Sequence, residues 1–306
     1  MEVERPHQDL PHVLNLPRPT GASRSFMADV AEILREYWQY RHLLYQMTLR
    51  DIRIRYKQTV MGFAWAILMP ATVVLAGLMV RYIMARLSGE PLGSGMFAVV
   101  VKSIPWTFFV GAIGFATGSL LNNKNLVTKI YFPREIFPVS AALTQSFDTT
   151  IGAAAIALTL PFLGMKISPA SLWVPVLAVL LFVLTVAAGL LLSCANLFFR
   201  DVKYLVQVLL TFGIFFTPVF FEPAMLGPLG AKLIMLNPLA PILEGLRLAV
   251  VENHNLMVPQ VIREAGGEIL TWTPWYLVYS AGWALFGLVA SSLLFHRMEF
   301  LFAEYA

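Results

Sequence analysis

The sequence predicts an all-α membrane protein with six transmembrane helices, and three observations predict it. Hydrophobic residues fill 58% of the 306 positions and charged residues 13%, about half the charged share of an ordinary soluble domain. Apolar runs of spanning length recur along the chain, a helix needing about 20 residues to cross hydrocarbon. The basic residues crowd to one side of these runs. Low charge with abundant Phe, Leu and Val excludes disorder. One cysteine, Cys194, excludes a disulfide scaffold. A net charge of +4 is too small an excess to argue for nucleic acid and suits a basic membrane protein.

Residues 1–25 form a polar leader rich in Pro and Arg. It lacks the apolar stretch of a cleavable export signal, so it is expected to stay in the cytosol. Residues 26–58 are read as an amphipathic interface helix followed by a basic segment. Over 26–45, Phe26, Val30, Ile33, Tyr37 and Leu44 recur at helical spacing, with Leu34 and Trp38 beside them, while Asp29, Glu32, Arg35, Glu36 and Gln39 fill the other side. An apolar face bearing Trp and Tyr suits the membrane interface; packing on another cytosolic helix is the alternative. In "RDIRIRYKQT" (50–59), a helix puts Arg50, Arg53 and Lys57 on one face. Such a ridge attracts lipid phosphate at headgroup depth, and the same residues fit an ordinary positive-inside anchor.

Residues 59–298 hold the six spans, read at 63–84, 96–121, 139–163, 172–198, 204–221 and 275–295, and 299–306 form a tail. Six crossings put both termini on one side. Fifteen of the 22 basic residues then fall on that side, including Lys124, Lys129, Arg134, Arg200, Lys203 and Arg297. The positive-inside rule makes it cytosolic. Residues 222–258, between the fifth and sixth spans, are too apolar for a plain loop and carry Pro223, Pro228, Pro238 and Pro241. Two short half-helices fit, near 230–236 and 240–251, with proline tolerated in a first turn. They are expected to re-enter the membrane against protein; an external cap is the alternative.

Chemistry inside the chain is sparse. No G-x-x-x-x-G-K-S/T phosphate loop is present, and the five histidines are scattered. Gly114 and Gly118 have the G-x-x-x-G spacing that lets helices approach. Asp148 lies inside the third span. An unpaired charge there is expensive, and a helix–helix hydrogen bond or a wetted position is the expected role. No nucleophile–base pair is discernible, and the chain is not expected to be an enzyme.

Five stretches make the pattern specific: "RDIRIRYKQTVMGFAWAILMP" (50–70), "PWTFF" (105–109), "NLVTKIYFPREIFPVSAAL" (125–143), "FFRDVKYLVQVLLTFGIFFTPVFF" (198–221) and "LNPLAPILEGLRLAV" (236–250). In these the chain resembles the permease subunit of type-2 ABC transporters that export polysaccharides such as O-antigen, capsule and teichoic acid. Lys102 departs from the resemblance, which is mostly apolar at that point. The resemblance implies a homodimer working with two copies of a separate ATPase. That subunit holds ATP and Mg; no cofactor is expected in this chain. It also implies a polyprenyl-diphosphate-linked polysaccharide as substrate, and the bacterial inner membrane as location. Type-2 permeases for small hydrophobic compounds share the architecture.

On that resemblance the 122–138 loop becomes the ATPase-coupling element. Tyr131, Phe132 and Phe137 are its apolar anchors, Lys124, Lys129 and Arg134 surround them, and Pro133 and Pro138 fix the turns. Arg50, Arg53 and Lys57 become the holder of the lipid diphosphate. Candidate channel liners are Phe63, Trp65, Trp106, Phe108, Phe109, Phe212, Phe216 and Phe220; lipid contact or ordinary packing is the alternative for each. Four-residue steps put Phe212, Phe216 and Phe220 on one face of one helix. An ion-coupled carrier predicts inverted repeats, none of which is clear, and a membrane-embedded glycosyltransferase predicts grouped carboxylates or a metal motif.

Overall fold

A computed structural model describes residues 26–57, 64–88, 93–129, 132–159, 162, 168–264, 267–299 and 302. The leader and the two site candidates Phe63 and Tyr131 lie outside the described residues. In chain order the helices are α1 (Phe26–Gln39), α2 (Arg41–Tyr56), α3 (Ala64–Ser88), α4 (Gly93–Asn122), α5 (Lys124–Lys129), α6 (Ile136–Thr159), α7 (Trp173–Phe198), α8 (Val202–Gly213), α9 (Gly227–Ile234), α10 (Ala240–Val250) and α11 (Pro274–Met298).

Among the described residues, four helices are long and apolar enough to cross a membrane: Ala64–Leu87, Gly95–Asn122, Pro169–Phe198 and Pro274–Met298. This is a multi-pass membrane protein. The 24-residue α6 matches them in length, but Thr144, Gln145, Asp148, Thr149 and Thr150 dilute its apolarity. α4 packs on α6 and α7, and α7 on α11. Ala112, Leu120, Phe137, Leu190 and Leu197 fill the buried centre. Asn196 pins three elements there: its amide donates to the Thr117 carbonyl on α4 (2.9 Å) and its oxygen accepts from the Lys203 N–H of α8 (3.2 Å).

Four details depart from the sequence reading. The 26–45 helix is two helices, with non-helical angles at Tyr40. The 204–221 span is not one helix. It ends at Gly213, runs through a 3-10 turn at Ile214–Phe216, and becomes extended at Thr217 (φ −131°, ψ 136°). Gly213 is a poor helix former, and Pro218 forces the residue before it out of the helical region. The fold also includes a two-stranded antiparallel hairpin, β1 (Gln260–Glu264) with β2 (Gly267–Trp272), Val261 opposite Leu270. Its end is anchored by Trp272, fully buried, whose indole N–H donates to the Leu256 carbonyl (2.9 Å). Lastly, the close helix approach of α4 is not at Gly114, where an added Cβ would meet nothing. Gly111 makes such an approach to α6 instead: an added Cβ there would meet the Gln145 amide at 2.7 Å. The two short helices between α8 and α11 are present, and residues 240–249 of α10 are buried throughout.

Candidate functional site

A cavity of about 830 Å³ opens between α2, α3, α4 and α6. Its wall is of two kinds. Trp65, Trp106 and Phe115 supply aromatic surface, and Arg50, Arg55, Gln145 and Asp148 supply planar polar groups. The polar side is a seam between α2 and α6. Arg55 ion-pairs with Asp148 and donates to the Gln145 carbonyl oxygen (3.1 Å), and the Tyr56 hydroxyl donates to the other Asp148 oxygen. The Arg55 guanidinium also lies over the Phe115 ring, 4.2 Å from its centre. Asp148 therefore makes the helix–helix bond expected of it, and borders a cavity as well.

Of the basic ridge, Arg53 and Lys57 are exposed. Arg50 is half-buried; it pairs with Asp51 (2.7 Å) and donates to the Asn123 side chain (2.9 Å). The three do not act as one equivalent face. Arg55 was missed, although a lone carboxylate inside a span requires a cation and the basic run just before the first span holds one.

The aromatic candidates scatter. Trp65 and Trp106 line the cavity, and Phe109 packs on Trp106 with ring centres 6.2 Å apart. Phe108 is buried and stacks on Phe182 of α7, so it serves the core. Phe212 and Phe216 are exposed. Phe220 packs against Gly77, where an added Cβ would meet its ring at 2.6 Å. The expected ladder of Phe212, Phe216 and Phe220 on one helix face does not form, because the helix ends at Gly213.

The 122–138 segment is also rearranged. Phe132 and Phe137 are both buried and meet edge to face, 5.4 Å between centres, so they stiffen the segment from within rather than present an apolar surface. Arg134 is held by Glu299: its backbone N–H donates to the carboxylate (3.1 Å) and its guanidinium to the Glu299 carbonyl. Pro133 is half-buried beside them, and Lys129 ends α5. The outward-facing part is Lys124 and Asn125 at the start of α5. Behind it, burial pushes the Glu135 carboxyl up to about 8, with Glu299 and Glu36 acting in the same direction. Burial likewise raises Glu299 and Glu36 above the usual carboxylate range. The same packing raises the Tyr37 hydroxyl, which hydrogen-bonds to Glu135.

The family model described as "ABC-2 type transporter" matches residues 42–251, which include the cavity helices, the 122–138 segment and α10. The chain belongs to the ABC-2 type transporter family. Among curated proteins, this transporter is similar to the "O-antigen export system permease protein RfbA" of Myxococcus xanthus. The two are 27% identical over 251 residues, covering 78% of this chain and 92% of that protein. Proteins of the same name from Klebsiella pneumoniae are 26% and 24% identical, each over 65% of this chain and 76% of their own length.

Proposed function

We propose that the chain is the membrane-spanning permease of an ATP-driven exporter that moves lipid-linked polysaccharide, foremost an O-antigen on polyprenyl diphosphate, across the bacterial inner membrane. The observation that carries this reading is the likeness to the O-antigen export permease of M. xanthus along 92% of that protein. The cavity supports it. Sugar rings offer C–H faces to indoles and hydroxyls to planar amides and carboxylates, and the Trp65, Trp106, Gln145 and Asp148 wall offers both.

In this reading the chain crosses six times, with α6 and the α8 segment joining the four apolar helices, and both termini face the cytosol. α1 lies at the interface, and α9 and α10 dip back as re-entrant helices. Two copies enclose the passage and two copies of a separate ATPase drive it. The lipid diphosphate is held at the cytosolic mouth by Arg50, Arg53 and Lys57, with Arg55 behind them at the cavity. Aromatic surfaces grip the glycan weakly at many positions, as conduction requires. The ATPase meets the exposed Lys124 end of α5. The Phe132–Phe137 pair and the Arg134–Glu299 bonds then pass its movement to α6 and α11 as one rigid piece.

Deleting the gene is expected to remove surface polysaccharide while its lipid-linked form accumulates inside, with the intact gene restoring export. Unchanged surface polysaccharide in the deletion strain overturns the reading. Within the restored strain, Lys124→Glu is expected to weaken co-purification of the ATPase and lower export together; full capture and export would remove α5 from the docking surface.

A further inference from the structure

Lys102 sits seven residues into the Gly95–Asn122 span, about 10 Å along the helix from its start. Its side chain is 1% exposed, and its partner Glu244 on α10 is 0% exposed, the two 3.8 Å apart. Burying an isolated ammonium at this depth is strongly unfavourable, so the site has to be built around it. The Lys102 ammonium donates to the Phe221 carbonyl (2.6 Å). Arg247 holds Glu244 through two nitrogens (2.8 and 2.6 Å) and pairs with Glu252. Glu222 lies 3.7 Å from Arg247 and 3.9 Å from Arg81 of α3. Three cations thus face three carboxylates, and the cluster is balanced. One Glu244 oxygen has no hydrogen-bond partner among the described residues, so Lys102 answers its charge without bonding to it.

The placement along α4 gives the cluster a direction. Lys102 and Trp106 are four residues apart and share a helix face. Trp106 meets Gly213, where an added Cβ would lie 3.2 Å from the indole. Lys102 meets Phe221. One face of α4 therefore grips both ends of the irregular 213–221 segment, the stretch that carries the exposed Phe215 and Phe216. Glu244 adds α10 to the same grip.

We propose that Lys102 is the positioning residue of this segment: its bond to the Phe221 carbonyl and its charge pairing with Glu244 hold the aromatic break and α10 against α4, and so keep the outward end of the passage closed between transport cycles. The inference rests on the export reading. The assignment is to a side chain at which the family resemblance is mostly apolar.

The test uses the complete complex with its ATPase, in phosphatidylethanolamine–phosphatidylglycerol vesicles loaded with carboxyfluorescein and without ATP. Lys102→Met is expected to raise dye efflux about tenfold, the scale set by losing a charged hydrogen bond. Lys102→Arg keeps donors and charge and is expected to stay tight, a rescue that a purely space-filling role would not give. Lys102→Met leaves the cluster one negative charge in excess and can fail to assemble. The charge-balanced Lys102→Met/Glu244→Gln is therefore measured alongside. It lacks the Phe221 bond and is expected to leak as well. Wild-type tightness in an assembled Lys102→Met, or in the double variant, overturns the proposal. Polysaccharide export by the wild-type complex is recorded in parallel; its absence strikes the export reading and not the role of Lys102 in closure.

Discussion

Glu135 is a carboxyl group with little room to be charged. It is buried beside Tyr37, one of its oxygens has no hydrogen-bond partner among the described residues, and its pKa is pushed from 4.5 up to about 8. The folded state therefore keeps its proton at neutral pH while the unfolded chain releases it. Because the unfolded state binds fewer protons in this window, stability falls as pH rises from about 4.5 to about 8 and levels off beyond. Glu135→Gln, an amide of the same shape, is expected to flatten that slope. Thermal unfolding of the detergent-purified complex at several pH values across the window checks it, and an unchanged slope would move the pH dependence elsewhere. Nothing in "YFPREIFP" distinguishes this glutamate from a solvated loop charge, because its burial comes from α1, distant in sequence. Asp148 was legible for the opposite reason: an acidic residue within an apolar run is conspicuous, even if its partner Arg55 was not named.

At the scale of elements, sequence reading succeeded where length and apolarity suffice and failed where packing decides. The long helices α3, α4, α7 and α11 follow from apolar runs, and α9 and α10 from proline placement. The G-x-x-x-G reading failed because spacing reports a small face without saying what meets it. Gly114 meets nothing, while Gly77 of α3, with no small neighbour at four-residue spacing, is pressed against α4. An added Cβ there would lie 2.5 Å from Val99 and 2.6 Å from Phe220. Gly77→Ala is expected to force α3 off α4 and cost about 1–3 kcal/mol, the usual range for overpacking. Gly114→Ala should cost nothing or stabilise slightly through helix propensity. Comparing the two thermal midpoints checks the claim, and equal effects would show that the α3–α4 contact is loose. The end of α8 was legible in principle: Gly213 and Pro218 both stand in the sequence, but the surrounding apolar residues concealed the break.

For the whole molecule, the question is what covers the apolar faces that one chain leaves open. α11 exposes Val278, Leu285, Phe286 and Val289, and α8 exposes Leu205, Val208, Leu209 and Phe212. The two faces are alike in composition, so composition cannot sort them; backbone continuity can. α11 runs unbroken from Pro274 to Met298, satisfies its backbone internally, and can face lipid. α8 has 12 residues, about 18 Å of helix against a hydrocarbon core near 30 Å. It continues as irregular backbone in which Asn237 must bond the Phe216 carbonyl (3.3 Å). Lipid-exposed irregular backbone is disfavoured, whereas the same backbone against protein or a wetted passage is tolerated. In the proposed two-copy exporter, the α8 face is therefore the one expected to look across the passage at the second copy. The single cysteine, Cys194, is buried, which gives a quiet background for thiol chemistry. Phe212→Cys, in the assembled complex, is expected to give a cross-linked dimer with a bis-maleimide long enough to span the passage, and Phe286→Cys to remain monomeric on the same gel. Cross-linking at Phe286→Cys with none at Phe212→Cys would reverse the arrangement, turning α11 inward and leaving the broken end of α8 to face lipid.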